Sequence, residues 1–181
     1  MDPATRILLT LDSHLSAEAE IRLMGGAAMI LAYGMRRSTE DVDLLQDDDE
    51  LAFLAEERDF GAALEGTNAD LAKSGLYLSH IWGPEQEILT PNWRSACRAV
   101  AVPGVVHLRV SALGPLDLLV SKLCRADAPD LADIDWLIAG ERLDGAAVRA
   151  AMRQALVPEH FLDFYGEACA RVESILAARG L

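Results

Sequence analysis

The first forty residues carry apolar side chains at two different spacings. Apolar residues three and four positions apart predict a first helix over residues 7–21. Looser alternation predicts a short strand over residues 21–24, which stops at the double glycine 25–26. Strong helix formers then predict a helix over residues 27–33, with Gly34 as its C-cap. This part of the chain therefore predicts the order helix, strand, tight turn, helix.

Alternation returns in the middle of the chain. Residues 39–45 predict a second strand with Val42 and Leu44 on one face and carboxylates on the other. The acidic run Asp47–Glu50 offers N-caps for a helix that continues to about residue 64. Three further segments predict strands: residues 76–82, 86–89 and 105–110.

The last third of the chain carries a helical pattern only. Gly114 and Pro115 introduce a first helix, and further helices are predicted over about residues 130–138, 144–156 and 159–178. The fold class that follows is α+β (mixed α/β). We expect an α/β core over residues 1–112 and a helical part over residues 113–181 packed on it, as one compact unit.

Charge narrows the range of partners. The 181 residues include 29 acidic and 16 basic side chains, for a formal net charge of −13. Such a surface repels nucleic acid phosphates and anionic lipids, so we expect no DNA partner and no membrane binding. A basic partner protein, or a small anionic ligand screened by a divalent cation, fits this charge better. RNA would need a local basic patch.

The cysteines and the N-terminal residues indicate the compartment. Cys97, Cys124 and Cys169 are odd in number and far apart, which argues against a disulfide framework and a thiolate zinc site. The N-terminal residues lack the pattern of a signal peptide, and no apolar run approaches the roughly 20 residues of a membrane span. We therefore expect a cytoplasmic protein.

The most informative residues lie between positions 25 and 43. Gly25 and Gly26 let the backbone turn sharply and approach a ligand, and the N-terminus of the following helix can bind phosphate. Asp41 and Asp43 point to the same side of a strand. Two carboxylates this close repel each other, and a divalent cation that bridges them reduces the repulsion. Magnesium suits this pair, with water and substrate phosphate completing its coordination. A D-x-D on a strand is by itself more often a solvated edge, but the double glycine and the R-x-T at 37–39 favour the metal site.

A second group of charged residues lies on the later helices. Lys122 and Arg125 are three positions apart on one helix face, and so are Asp130 and Asp133. The cations can neutralise charge on a transferring phosphate, and the carboxylates can hold them in place or bind sugar hydroxyls. Surface ion pairs are the alternative reading of the same residues.

Together these segments resemble the DNA polymerase beta-like nucleotidyltransferase superfamily, and within it the minimal AbiEii and MenT toxin-like enzymes and their uncharacterised relatives. The matching stretches are LMGGAAMILAYGMRRSTEDVDLL (23–45) and DLLVSKLCRADAPDLADIDWLI (117–138), about a quarter of the chain. The first contains strand, double glycine, helix and R-x-T-x-D-x-D. The second contains the family's lysine, a nearby arginine and the D-x-x-D-I helix.

The resemblance implies a mixed sheet flanked by helices, with a helical C-terminal part. It implies a transferase that moves a nucleoside monophosphate from an NTP, ATP or GTP among them, to a hydroxyl of a protein or RNA, with loss of pyrophosphate. Asp41 and Asp43 would bind magnesium, or alternatively manganese. The residues that would contact the nucleotide are Gly25, Gly26, Arg37, Thr39, Lys122, Arg125, Asp130 and Asp133. The toxin relatives further imply a toxin–antitoxin or phage-defence setting, with a cognate antitoxin or toxin as partner.

One departure from the family pattern concerns the general base. Many members supply a third carboxylate from a later strand, but the strand over residues 76–82 contains no acid. Either His80 acts as the base, or Glu87 takes that place, or two carboxylates suffice, or catalysis is lost. The alternative interpretation of His80, which lies in an apolar strand, is a core histidine without a catalytic role. If catalysis is lost, the chain is a nucleotide-binding or partner-binding module, such as a sensor or an antitoxin; a purely structural acidic protein is a third reading.

Overall fold

The computed structural model describes residues 1–47 and 58–181, except for the side chains of Arg58, Asp59 and His80. The helix predicted to begin at Asp47–Glu50 falls largely on residues 48–57, outside the described residues. The contacts of the chain divide it into two compact units.

The units are discontinuous in sequence. The first comprises residues 1–83 and 97–112, and the second comprises residues 84–96 and 113–181. Each is described by itself below.

The first unit is built on a mixed sheet. Its strands are β1 (Ala19–Met24), β2 (Asp41–Leu45), β3 (Tyr77–Trp82), β4 (Arg98–Val100) and β5 (Leu108–Ala112). Among the described residues they form one five-stranded sheet in the order β3-β2-β1-β5-β4. Strands β1 and β2 pair antiparallel, β1 and β5 parallel, β2 and β3 parallel, and β4 and β5 antiparallel. The predicted α+β class and mixed sheet are confirmed.

The helices of the first unit are α1 (Pro3–His14), α2 (Gly25–Tyr33) and α3 (Arg58–Leu71). Helix α1 begins where the Asp2 carboxylate accepts the Thr5 N–H at 2.9 Å. It ends well before the predicted residue 21, because the chain enters β1 at Ala19. The predicted cap of α2 is confirmed: Gly34 is left-handed, with φ of 74°.

Asp12 explains why β5 begins later than predicted. Its buried carboxylate accepts backbone N–H groups of Val106, His107 and Leu108 at 2.9, 2.7 and 2.8 Å. Two of these N–H groups precede β5, which runs from Leu108 and pairs along its length with β1. The short strand β4 that pairs with its other side was not predicted.

The second unit is helical. Its helices are α4 (Trp93–Ala96), α5 (Pro115–Ser121), α6 (Ala128–Gly140), α7 (Gly145–Gln154) and α8 (Leu162–Ala178). The strand predicted over residues 86–89 is wrong: residues 84–86 form a 3-10 turn, and Leu89 makes only an isolated bridge with Leu156. Pro115 begins α5 as predicted. Among the described helices, none is both long and apolar enough to cross a membrane.

Candidate functional site

The junction between β1 and α2 has no linking residues. Helix α2 begins at Gly25, directly after β1 ends at Met24. Gly25 has φ of 58°, a left-handed conformation that costs any other residue strain. Met24, the N-cap residue of α2, has no polar side-chain group and makes no capping hydrogen bond. The first N–H groups of α2 are thus presented beside the end of the sheet.

Strand β2 places Asp43 against this junction. The register of β1 and β2 pairs Met24 with Asp43. A Cβ on Gly25 would lie 3.2 Å from Oδ2 of Asp43, which is tighter than ordinary contact. Asp41 and Asp43 are half-buried and Val42 between them is buried. The predicted alternation of carboxylate and apolar residues on β2 is therefore present, and glycine leaves space beside the Asp43 carboxylate.

The remaining residues predicted in this segment lie at the same place. Thr39 donates its hydroxyl hydrogen to Oδ1 of Asp41 at 2.8 Å. A Cβ on Gly26 would lie 3.0 Å from Nη2 of Arg37 and 3.2 Å from Oγ1 of Thr39. The fold thus brings together one group, called here the glycine–aspartate cluster: Gly25, Gly26, Arg37, Thr39, Asp41 and Asp43.

Strand β3 adds a residue to this cluster. The pairing of β2 with β3 shifts between Val42 and Leu44, so that two β3 residues, Ser79 and His80, lie opposite Asp43. The Ser79 hydroxyl donates to the Asp43 carboxylate. Sequence reasoning missed Ser79, although a small polar residue on an apolar strand next to D-x-D was the available signal.

The two candidate bases, His80 and Glu87, belong to different units of the chain. His80 lies on β3, but its side chain lies outside the described part of the chain. Glu87 belongs to the second unit, where it is 8% exposed. Within the described residues, no group of three or more His, Cys, Asp or Glu side chains is arranged to hold a metal ion.

The donor set of the glycine–aspartate cluster fits a divalent cation nonetheless. Two carboxylates share one face of β2, a helix N-terminus lies next to them, and Gly25 leaves room for a ligand close to the backbone. Magnesium in proteins is typically held by one or two carboxylates, with water and substrate phosphate as the other ligands. Asp41 and Asp43 are the residues that would hold it.

A second group, the lysine–aspartate cluster, lies in the second unit and consists of Lys122, Arg125, Asp130 and Asp133. Nζ of Lys122 lies 3.3 Å from Asp130 and 2.6 Å from Asp133. These three side chains are each at most 8% exposed. Arg125 donates to both carboxylate oxygens of Asp130, at 3.0 and 3.1 Å, while its own side chain is 70% exposed. All four predicted residues are therefore in contact.

The cluster forms where one short helix ends and α6 begins. Lys122 opens a 3-10 turn after α5, and Asp127 caps α6 by accepting the Asp130 N–H. Burial raises the pKa of the Asp130 carboxyl, but the Arg125 hydrogen bonds and the Lys122 charge outweigh burial, so its pKa lies below the usual value. Asp130 in turn raises the pKa of Arg125. The group is an ionised network that fixes the direction of an exposed guanidinium.

Cys124 lies beside this network but stays protonated at neutral pH. Burial, with the Glu87 charge as a smaller cause, raises the pKa of its thiol to about 11. Glu87, which the sequence offers as a candidate base, therefore lies close enough to Cys124 for its charge to act on the thiol.

Comparisons with known proteins show the family of this chain. Residues 6–157 match a family described as "Nucleotidyltransferase of unknown function" (DUF6036). Neither the curated proteins nor the solved structures include a significant match. The matched region contains both the glycine–aspartate and the lysine–aspartate clusters and covers most of the chain. The chain therefore belongs to this nucleotidyltransferase family, whose activity is not defined further.

Proposed function

We propose that this nucleotidyltransferase is magnesium-dependent and transfers a nucleoside monophosphate from an NTP to a hydroxyl of a protein or RNA acceptor. The observation that carries the proposal is the closeness of Gly25 to Asp43: a Cβ on Gly25 would lie 3.2 Å from Oδ2 of Asp43. It sets the N-terminus of α2, which binds phosphate, beside the carboxylates that bind the cation.

Each group of the first unit has a distinct role in this proposal. The first N–H groups of α2 bind phosphate oxygens of the NTP. Asp41 and Asp43 hold magnesium, and the hydroxyls of Thr39 and Ser79 orient these two carboxylates. Bound there, the metal supplies positive charge to the triphosphate and to the attacking oxygen. Arg37, next to Gly26, contacts a terminal phosphate or the base.

The lysine–aspartate cluster supplies the cations of the second unit. Lys122 and Arg125 contact nucleotide phosphate, and Asp130 and Asp133 keep their side chains in place. Because the chain has a net charge of −13, an anionic phosphate needs a local cation, and Arg125 is the exposed one in this cluster.

The setting of the reaction belongs to the same proposal. The resemblance to AbiEii and MenT toxins supports a role in a toxin–antitoxin or phage-defence system of the cytoplasm. The acceptor is then a macromolecule, and a cognate antitoxin or toxin is the partner to test for.

Ser79 favours a second candidate function. Its hydroxyl donates to Asp43 from the neighbouring strand, on which many superfamily members place a third carboxylate. A site with two carboxylates and a serine can bind a metal–nucleotide without activating an acceptor hydroxyl. The alternative is therefore a catalytically silent nucleotide-binding module, acting as a sensor or an antitoxin.

Calorimetric titration of each NTP with magnesium tests the site. We expect binding by the wild type, loss of binding in the double variant Asp41→Ala/Asp43→Ala, and no change in the control Asp163→Ala, whose side chain is exposed on α8. Pyrophosphate release with a candidate acceptor then separates enzyme from module. Absence of NTP binding by the folded wild type would refute both forms of the proposal.

A further inference from the structure

A cavity of about 240 Å³ lies next to the lysine–aspartate cluster, within the second unit. One wall is the turn over residues 124–126. The other is one face of α8, from which Phe164, Glu167 and Arg171 project at helical spacing. None of these α8 residues has a role in the proposed chemistry.

Both guanidinium groups at this cavity are held in fixed directions. Arg125 is bound through Nε and Nη2 to the buried carboxylate of Asp130. Arg171 donates from Nη1 to the Ala126 carbonyl at 2.9 Å and from Nη2 to Glu167 at 2.6 Å. Ordered arginine planes of this kind lose little side-chain entropy when a ligand stacks on them.

The turn itself is strained. Ala126 has φ of 48°, a left-handed conformation that is uncommon for a residue with a side chain. Its N–H donates to the Lys122 carbonyl and its own carbonyl accepts from Arg171. Strained backbone that the surrounding bonds hold in place clusters at active sites, ligand sites and switch regions.

The chemistry of the walls selects the class of ligand. Phe164 is 37% exposed and, with the guanidinium planes, offers flat surfaces, while the small side chains of Ala126 and Ala168 leave space between them. On the α8 wall Arg171 is paired with Glu167, so the charge of this wall is close to balanced. A neutral, planar group that carries N–H donors and acceptors suits these walls better than a free phosphate. Among biological groups a nucleobase has this chemistry.

We propose that this cavity binds a nucleobase, stacked on Phe164 and the guanidinium plane of Arg171, with Glu167 accepting its N–H. The inference rests on the proposed function for the origin of the base, which is either the NTP or an unpaired nucleotide of an RNA acceptor. Helix α8, which contains Phe164 and Arg171, lies outside the residues that match the family, 6–157.

Titration with free nucleosides tests the cavity without the metal site, because a nucleoside has no phosphate. Adenosine, guanosine, cytidine and uridine are titrated to millimolar concentration against the full-length protein, followed by amide NMR shifts. We expect amide shifts at residues 124–126 and on α8. The nucleoside affinity should be at least about fivefold lower for Phe164→Ala and should be retained in Phe164→Trp. Leu162→Ala, an exposed residue of the same helix that does not line the cavity, is the matched control.

Two further measurements test whether ionic contacts contribute to nucleoside binding and which molecule supplies the base. Nucleoside affinity should change little between 50 and 200 mM salt, since no phosphate contact is involved. Phe164→Ala should also weaken either magnesium–NTP or a six-nucleotide single-stranded RNA, and whichever is weakened identifies the source of the base.

The inference fails if no nucleoside shifts residues of the cavity, or if Phe164→Ala binds as the wild type does. NTP binding by the variant Asp41→Ala/Asp43→Ala tests only the proposed function. If the inference is right, nucleosides still shift the cavity residues of that variant.

Discussion

Aspartates in this chain differ in what surrounds their carboxylates. Asp12 accepts three backbone N–H groups and so connects α1 to the start of β5. Asp130 is bound by two cationic side chains. Asp41 and Asp43 accept hydroxyl groups of Thr39 and Ser79 and lie half-buried beside the glycines. The first arrangement is structural, the second fixes cations, and the third suits a metal ligand.

Asp12 makes stability depend on pH. Burial raises the pKa of its carboxyl, but the three N–H donors outweigh burial, so the folded-state pKa lies below the ordinary 3.8. The carboxylate therefore stabilises the fold above that value, and the contribution is lost as pH falls through the folded-state pKa. Asp12→Asn should lower the free energy of unfolding at pH 7 by about 1–3 kcal/mol.

Urea unfolding at pH 7 and at pH 3 measures this effect. The difference between Asp12→Asn and the wild type should shrink at pH 3, while the exposed Asp163→Asn should match the wild type at pH 7. A difference that stays constant on acidification would contradict a charge-dependent bond.

At the scale of elements, the junction of β1 and α2 combines a conformational requirement with a steric one. Gly25 needs its left-handed φ and also lies against Asp43. Gly34 at the other end of α2 has a similar φ of 74°, but among the described residues no atom beyond its chain neighbours lies within 4 Å of the position a Cβ would take. A comparison of the two positions therefore distinguishes the effect of backbone strain from the effect of crowding at the proposed metal site.

Replacing each glycine by alanine uses this difference. Gly25→Ala and Gly34→Ala should each lower the free energy of unfolding by about 1–2 kcal/mol, because both place a Cβ at positive φ. Only Gly25→Ala should weaken magnesium–NTP binding, by about tenfold or more, since its Cβ displaces Asp43. Denaturant unfolding and calorimetry on the two variants measure both effects, and equal nucleotide affinity in the two would argue against a metal site at Asp43.

At the scale of the whole molecule, the chain passes between its two units three times. Residues 84–96 lie between β3 and β4 in sequence, yet they group with the helices after residue 112. Within this segment Ile88, Leu89 and Trp93 are at most 2% exposed. A cut after residue 112 would separate this segment from the rest of its unit.

We therefore expect a fragment of residues 1–112 to lack cooperative folding, because buried apolar side chains such as Ile88 and Trp93 would lose the partners of their own unit. Near-ultraviolet circular dichroism and urea unfolding, compared with the full chain, measure this. A fragment that unfolds cooperatively with the stability of the full chain would show that residues 84–96 contribute little to it.

What the sequence determined by itself is local. The left-handed cap at Gly34, the start of α5 at Pro115 and the alternation of Asp41, Val42 and Asp43 depend on residues within a few positions of each other. Composition and spacing are sufficient for such features, because φ restrictions and side-chain alternation act over a turn or a strand. The resemblance of residues 23–45 and 117–138 added the nucleotidyltransferase superfamily, which the match over residues 6–157 supports.

Only the tertiary structure decided which distant segments meet. The pairing of β1 with β5, the Ser79 hydroxyl on Asp43 and the strand β4 all depend on contacts between residues far apart in sequence. The same holds for the segment 84–96, whose predicted strand became a turn and a single bridge to Leu156. A short apolar run does not fix its own partner, because its conformation follows from the backbone groups and buried surfaces that the rest of the fold offers.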